Sequence, residues 1–273
     1  MRGAHAMLLF CGAALALVFG MWSRIVDGMI FHPSPGADLR PERLGLVAKD
    51  VYLDTADGVR IHAFWLPASG ATRALLFLHG NAGNASHRLP NAADLAALDI
   101  AVLLLDYRGY GLSAGKPSET GVYRDARAAL SHLTGELGFA EDRVVVFGRS
   151  LGGAVAVDLV QDRAVAGVVL ESTFTSLAGM VRSILLPAAP FVRGRFDSVT
   201  KIRRLRAPVL FFHGDRDEIV PYPLGRELFD AAPEPKWFET IERAGHNDTL
   251  AVGGRAYLER IGRFLDEVAP KAP

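Results

Sequence analysis

The 273-residue chain has one cysteine, no net charge and a single long uncharged run. With Cys11 alone, an intrachain disulfide is excluded. Lys plus Arg and Asp plus Glu both number 30, so there is no basic field for a phosphate backbone, and nucleic acid is not an expected partner. Internal repeats are missing, and so is low-complexity sequence beyond the N-terminus. Hydrophobic residues make up 50% of the chain, enough to fill the core of one domain of about 220–240 residues.

The uncharged run covers residues 6–22. Its 17 residues are at the short end of the roughly 17–25 that a spanning helix needs. Arg2 and Arg24 flank it, and Trp22 suits a membrane–water interface. A cleaved signal peptide is the rival reading, because Ala14-Leu15-Ala16 resembles a cleavage triplet. Cutting there would leave Leu17-Val18-Phe19 at the new terminus. Residues 1–24 are therefore expected to form a retained single-pass anchor, with the folded domain on the non-cytoplasmic side. Arg outnumbers Lys and Ala and Gly are abundant, which points to a bacterial inner membrane. The alternative is secretion after cleavage. Residues 25–46 read as an irregular linker because of Pro33, Pro35, Pro41, Gly36 and Gly45. Phe31 and Leu39 are expected to pack onto the domain, which spans residues 47–268.

Inside the domain, strand-like runs alternate with helical ones. Residues 47–53 and 59–66 flank Asp57-Gly58, a hairpin signal. Residues 74–79, 100–106, 144–147, 165–171 and 209–213 are apolar runs of the kind buried on both faces of a parallel sheet, and 236–241 is the last strand. Helical spacing appears over 87–98, 119–137, 151–160, 224–231 and 255–268. This pattern predicts an α/β fold with a mostly parallel eight-stranded sheet covered on both faces. Residues 174–196 are ambiguous between a core helix and an apolar lip. Asp197 or Ser198 is placed to cap a short helix.

The 144–147 strand runs directly into Gly148-Arg149-Ser150-Leu151-Gly152 and then a buried helix. A Gly-x-Ser-x-Gly turn between strand and helix is the context of a nucleophile elbow, with Ser150 at its tip. The small neighbours let helix and strand pack closely, and the helix N-terminus favours negative charge forming at the serine. A second match, Gly111-Leu112-Ser113-Ala114-Gly115, runs into Lys116-Pro117, and the proline prevents a helix there. Ser113 is accordingly a poor candidate. The stretch also mimics a dinucleotide fingerprint but opens no helix, so it reads as a glycine-rich loop.

A serine hydroxyl needs a base to take its proton, and the base needs a carboxylate to orient it. In open parallel sheets such groups gather in loops at the carboxyl ends of strands. Asp215 and Asp217 follow the 209–213 strand, and His246 follows the last one. The order serine, acid, histidine matches this architecture. The oxyanion of a tetrahedral intermediate needs preorganised N–H donors. The backbone N–H of Leu151 and of Asn81, in the His79-Gly80-Asn81 loop, are the candidates.

Several motifs taken together resemble the serine α/β-hydrolases. They are His-Gly-Asn-Ala-Gly-Asn, Asp-Tyr-Arg-Gly-Tyr-Gly-x-Ser, Gly-Arg-Ser-Leu-Gly-Gly, Glu-Ser-x-Phe, His-Gly-x-x-Asp-x-x-Val-Pro and Gly-His-Asn-Asp. The resemblance is greatest to the membrane-anchored subgroup of α/β-hydrolase-domain proteins, which includes esterases, lysophospholipases and acyl-protein thioesterases. It implies Ser150 as nucleophile, His246 as base, Asp217 rather than Asp215 as acid, Asn81 and Leu151 as oxyanion donors, and no cofactor or metal. Many relatives carry a large cap between the sixth and seventh strands. Here only residues 172–208 fill that interval, so the cap is minimal and the site open. The expected activity is cleavage of carboxylic esters or thioesters of a small molecule or lipid. Alternatives are a peptidase on the same fold and a non-catalytic binding protein. A dehalogenase is disfavoured, since that reaction needs a carboxylate at the elbow.

Overall fold

Short apolar runs become the strands of one central sheet in the computed structural model, which describes Trp22, residues 25–184, Ala189 and residues 192–271. The strands are β1 (His32–Pro33), β2 (Lys49–Asp54), β3 (Arg60–Leu66), β4 (Ala74–Leu78), β5 (Ala82–Gly83), β6 (Ala101–Leu105), β7 (Val144–Arg149), β8 (Gly167–Glu171), β9 (Val209–Gly214) and β10 (Lys236–Ile241). Eight of them form the sheet, in the order β10-β9-β8-β7-β4-β6-β3-β2. Pairs β2–β3 and β3–β6 are antiparallel, and the rest are parallel.

The helices are α1 (Leu89–Ala96), α2 (Glu119–Gly135), α3 (Leu151–Val160), α4 (Leu177–Ile184), α5 (Ser198–Ile202), α6 (Tyr222–Ala231) and α7 (Thr249–Val268). Strand side chains alternate between faces, so each central strand feeds two cores. Ala74, Leu76 and Leu78 of β4 face a core shared with α2, α3, α5 and α6. Leu75 and Phe77 face the other, shared with α1 and α7. The expected α/β fold with both sheet faces covered is what forms. Ser118 caps α2 by accepting from the Gly121 N–H, and Asp197 caps α5 by accepting from Thr200. Helix α7 begins at Thr249, ahead of the predicted Arg255, and Gly254 breaks its backbone geometry.

Residues 25–46 are more regular than their prolines suggest. Residues 25–30 are helical, and Pro41–Leu44 makes a 3₁₀ turn. Strand β1 pairs with β5 through the N–H groups of His32 and Ser34, to Asn81 O at 3.0 Å and Gly83 O at 2.9 Å. Pro33 and Pro35 have no N–H to offer, and the ladder uses His32 and Ser34, the residues that alternate with them. Phe31 is buried with its ring 6.1 Å from that of Phe196, and Leu39 packs against the α1–α7 core.

Apart from Trp22, the expected anchor over residues 1–24 lies outside the described residues. Among the described residues no helix is long and apolar enough to cross a membrane. In the ambiguous 174–196 stretch, Phe174 is buried and Met180 on α4 packs against the core. Leu185, Leu186, Pro187 and Pro190 lie outside the described residues.

Candidate active site

At the end of β7 the chain turns into α3 within one residue. Ser150 takes up that turn with φ 53° and ψ −118°. A side-chain-bearing residue at positive φ costs about 1–3 kcal/mol, so its surroundings must hold it. The Ser150 N–H donates to Glu171 O at 2.8 Å, and its carbonyl accepts from Gly153 N and Thr173 Oγ1, each at 2.9 Å. The turn also brings α3 against β4. A Cβ on Gly152 would collide with the Leu78 carbonyl, so only glycine fits there.

Asp217 lies in the loop after β9. Its Oδ1 accepts from the N–H groups of Ile219 at 2.9 Å and Val220 at 2.7 Å. Its Oδ2 sits 2.8 Å from His246 Nδ1 and 3.3 Å from His213 Nε2. Burial by itself raises this carboxyl, but the hydrogen bonds to His213 and His246 and the His246 charge outweigh it and hold it well below the usual carboxylate range. Asp215, the other sequence candidate, instead accepts from the Arg243 N–H at 2.6 Å. Of the two aspartates, Asp217 is the one in contact with His246.

His246 comes from the loop after β10 and is buried. With its Nδ1 proton directed at Asp217, Nε2 carries the lone pair. Ser150, His246 and Asn81 line one cavity of about 100 Å³. The Asn81 loop lies close to the serine, because a Cβ on Gly80 would sit 3.4 Å from Ser150 Cβ. Asn81 is anchored through its side chain, which donates to Ile30 O at 2.9 Å, and its carbonyl, which accepts from Tyr110 Oη at 2.6 Å. Among the described residues, the backbone N–H groups of Asn81 and Leu151 make no turn, loop or cap hydrogen bond. Leu151 is the first residue of α3, where N–H groups lack an intrahelical acceptor.

Ser113 serves the fold. Its Oγ donates to Asp106 O at 2.8 Å and accepts from His62 N at 2.7 Å. His79 is fully buried, with Nδ1 2.7 Å from Gly80 O. Burial pushes its pKa down to about 4, which keeps the ring neutral. Among the described residues, no group of three or more His, Cys, Asp or Glu side chains is arranged to hold a metal ion.

The sequence reading gave no role to a set of residues around this cavity. Arg149 pairs with Glu171 at 2.8 Å and donates through Nη2 to His246 O at 2.8 Å and Asn247 Oδ1 at 3.2 Å. Tyr257 donates to the second Glu171 oxygen. These bonds tie the histidine loop to the elbow. Arg149 stands inside the elbow motif, but its partners lie far away in sequence and no local pattern marks them. Arg88 also lines the cavity.

A family model described as serine aminopeptidase, S33, matches residues 70–201. An uncharacterised protein of Mycobacterium tuberculosis is 40% identical over 272 residues, covering 98% of this chain and 96% of its own length. The alpha/beta hydrolase domain-containing protein WAV2 of Arabidopsis thaliana is 34% identical over 291 residues, covering 97% of this chain and 93% of its own length. Among solved structures, the Pyrococcus furiosus esterase Pf2001 is similar with a TM-score of 0.74 at 22% identity, covering 88% of this chain and 100% of that one. That likeness bears on the fold alone.

Proposed function

Since the chain belongs to the α/β-hydrolase family, we propose that it is a serine hydrolase cleaving carboxylic esters or thioesters through an acyl-enzyme. Ser150 Oγ attacks the acyl carbon and passes its proton to His246 Nε2. The carbonyl oxygen becomes an oxyanion facing the N–H groups of Leu151 and Asn81. When the intermediate collapses, the bond to the leaving group breaks and His246 returns the proton to that group. Water then attacks the acyl-enzyme, His246 takes its proton, and the carboxylic acid leaves as Ser150 is reprotonated. Asp217 holds the imidazole tautomer and stabilises the imidazolium.

The observation that carries this reading is the 2.8 Å contact of His246 Nδ1 with Asp217 beside a serine at positive φ. A peptidase is the second reading, supported by the aminopeptidase description of the matching family model. Both use the same residues, and they differ in the leaving group. Membrane attachment through residues 1–24, with the domain on the non-cytoplasmic side, is part of the proposal and rests on the uncharged run at 6–22.

The test is hydrolysis of nitrophenyl esters from acetyl to palmitoyl, of matched thioesters, and of aminoacyl anilides, with Ser150→Ala as control. Ester or thioester turnover that disappears in the variant is the expected result. Anilide cleavage without ester cleavage would favour the peptidase. Turnover that survives in Ser150→Ala would refute the assignment of the nucleophile.

A further inference from the structure

Arginines buried elsewhere in the protein meet acids. Arg73 reaches Asp266 at 2.8 Å and Arg108 reaches Asp125 at 2.8 Å. Arg88 does not. It closes the 3₁₀ turn Ala85–Arg88 that leads into α1, and it lines the cavity with Ser150 and His246. Its Nε is buried and has no hydrogen-bond partner among the described residues. The nearby charges it feels are Arg149, which repels it, and Glu171, which Arg149 already neutralises at 2.8 Å. No Asp or Glu lines the cavity.

A guanidinium does not shed its proton in proteins, so this wall keeps an uncompensated positive charge beside the serine. Arg88 is half-buried, and its Nε–H gives up water without gaining a partner, which is costly unless a ligand supplies one. The large apolar side chain on this cavity is Ile219, 45% exposed, which offers an acyl chain a surface along the rim.

We propose that Arg88 is a substrate-recognition residue whose guanidinium binds a carboxylate or phosphate group carried by the substrate next to the bond that Ser150 attacks. The proposal rests on the serine-hydrolase reading above and narrows its substrate class to anionic acyl esters. The anion can belong to the alcohol side, as in a phosphorylated glycerol ester, or to the acyl side, as in a dicarboxylic acid half-ester.

Two matched pairs separate these sources, with the full chain as the enzyme. The first is 1-octanoylglycerol 3-phosphate against 1-octanoylglycerol. The second is nitrophenyl hemisuccinate against nitrophenyl butyrate. We expect the wild type to prefer the anionic member of one pair. Arg88→Gln should lower kcat/KM for that member about 10- to 100-fold more than for the neutral member, the value of a charge-assisted hydrogen bond. Arg88→Lys should recover part of the loss, since an ammonium keeps the charge but lacks the two-pronged geometry. No preference in either pair, or an equal loss on both members of a pair, would overturn the proposal. Calorimetric titration with phenyl phosphate and with succinate reads the site without turnover. Binding that disappears in Arg88→Gln supports it, and absence of binding by the wild type refutes it. If the anions bind but no ester is hydrolysed and Ser150 resists fluorophosphonate, the serine-hydrolase reading fails and the anion site stands.

Discussion

The proposed chemistry depends on single side chains with strict requirements. Asp217 accepts from the N–H groups of Ile219 and Val220 and from His246, lies 3.3 Å from His213, and is kept ionised by these neighbours. Asp217→Asn would reverse the imidazole tautomer by donating to Nδ1, leaving Nε2 without its lone pair. The expected loss in kcat is about 10⁴-fold, the scale seen when a triad aspartate becomes asparagine. Because the Asp217 carboxyl is held well below its usual range, it is ionised at neutral pH and the full loss is expected there. Turnover of wild type and variant at about pH 7 to 8 checks this, and a loss under about tenfold would show that Asp217 does not hold the imidazole tautomer. The order of residues along the chain left Asp215 and Asp217 open. They differ by two positions in one loop, and only the turn that brings Ile219 N and Val220 N onto Asp217 separates them.

At the level of elements, the elbow depends on how closely α3 approaches β4. Gly152→Ala would push a methyl group against a backbone carbonyl that cannot rotate away. Overpacking of this kind costs about 1–3 kcal/mol, and the expected outcome is a lower urea midpoint together with a displaced Ser150 and reduced turnover. A second tie joins the β2–β3 turn to α2. Arg108 reaches Asp57 at 2.8 Å and Asp125 at 2.8 Å, and Arg124 reaches Asp57 at 2.9 Å. The hydrogen bond from Arg108, followed by that from Thr55, depresses the Asp57 carboxyl well below its ordinary value. A depressed carboxylate contributes stability that is complete above its unfolded-state pKa of about 3.9 and is lost as pH falls through the folded value. Asp57→Asn should therefore lower the urea midpoint at pH 7, and the gap to wild type should narrow toward about pH 3. A gap that widens on acidification would contradict this. The elbow was legible in the sequence because strand, turn and helix are consecutive. Arg149, Glu171 and Tyr257 were not, since the bonds among them join β7, β8 and α7.

For the whole molecule, the N-terminal segment braces the loop that carries Asn81. Its β1 strand holds the loop that carries Asn81, Asn84 donates to Ser34 O at 3.2 Å and Gly36 O at 3.0 Å, and Arg195 bridges Asp27 and Glu119. Reading residues 25–46 as a linker followed from their prolines. Their partners stand roughly 50 positions further along the chain, and no local pattern shows this. Removing residues 1–24 should leave a folded, active domain. Removing residues 1–46 should lower the thermal midpoint and reduce turnover at least about tenfold, since a loosened oxyanion loop loses part of its preorganisation. Comparable activity in the two truncations would show that the segment is dispensable. Strands β4, β6, β7, β8 and β9 were legible because strands buried on both faces of a parallel arrangement read as continuous apolar runs, and β2 and β3 because a hairpin signal joins them. Arg88 was not, because its lack of an acidic partner becomes visible only once the fold has formed.

The most direct test of the central claim is to label the wild-type chain with a fluorophosphonate and map the adduct by peptide mass spectrometry. A single stoichiometric adduct on Ser150 is expected, absent from Ser150→Ala and strongly slowed in Asp217→Asn. An adduct on Ser113, or no adduct on a folded wild-type chain, would contradict it.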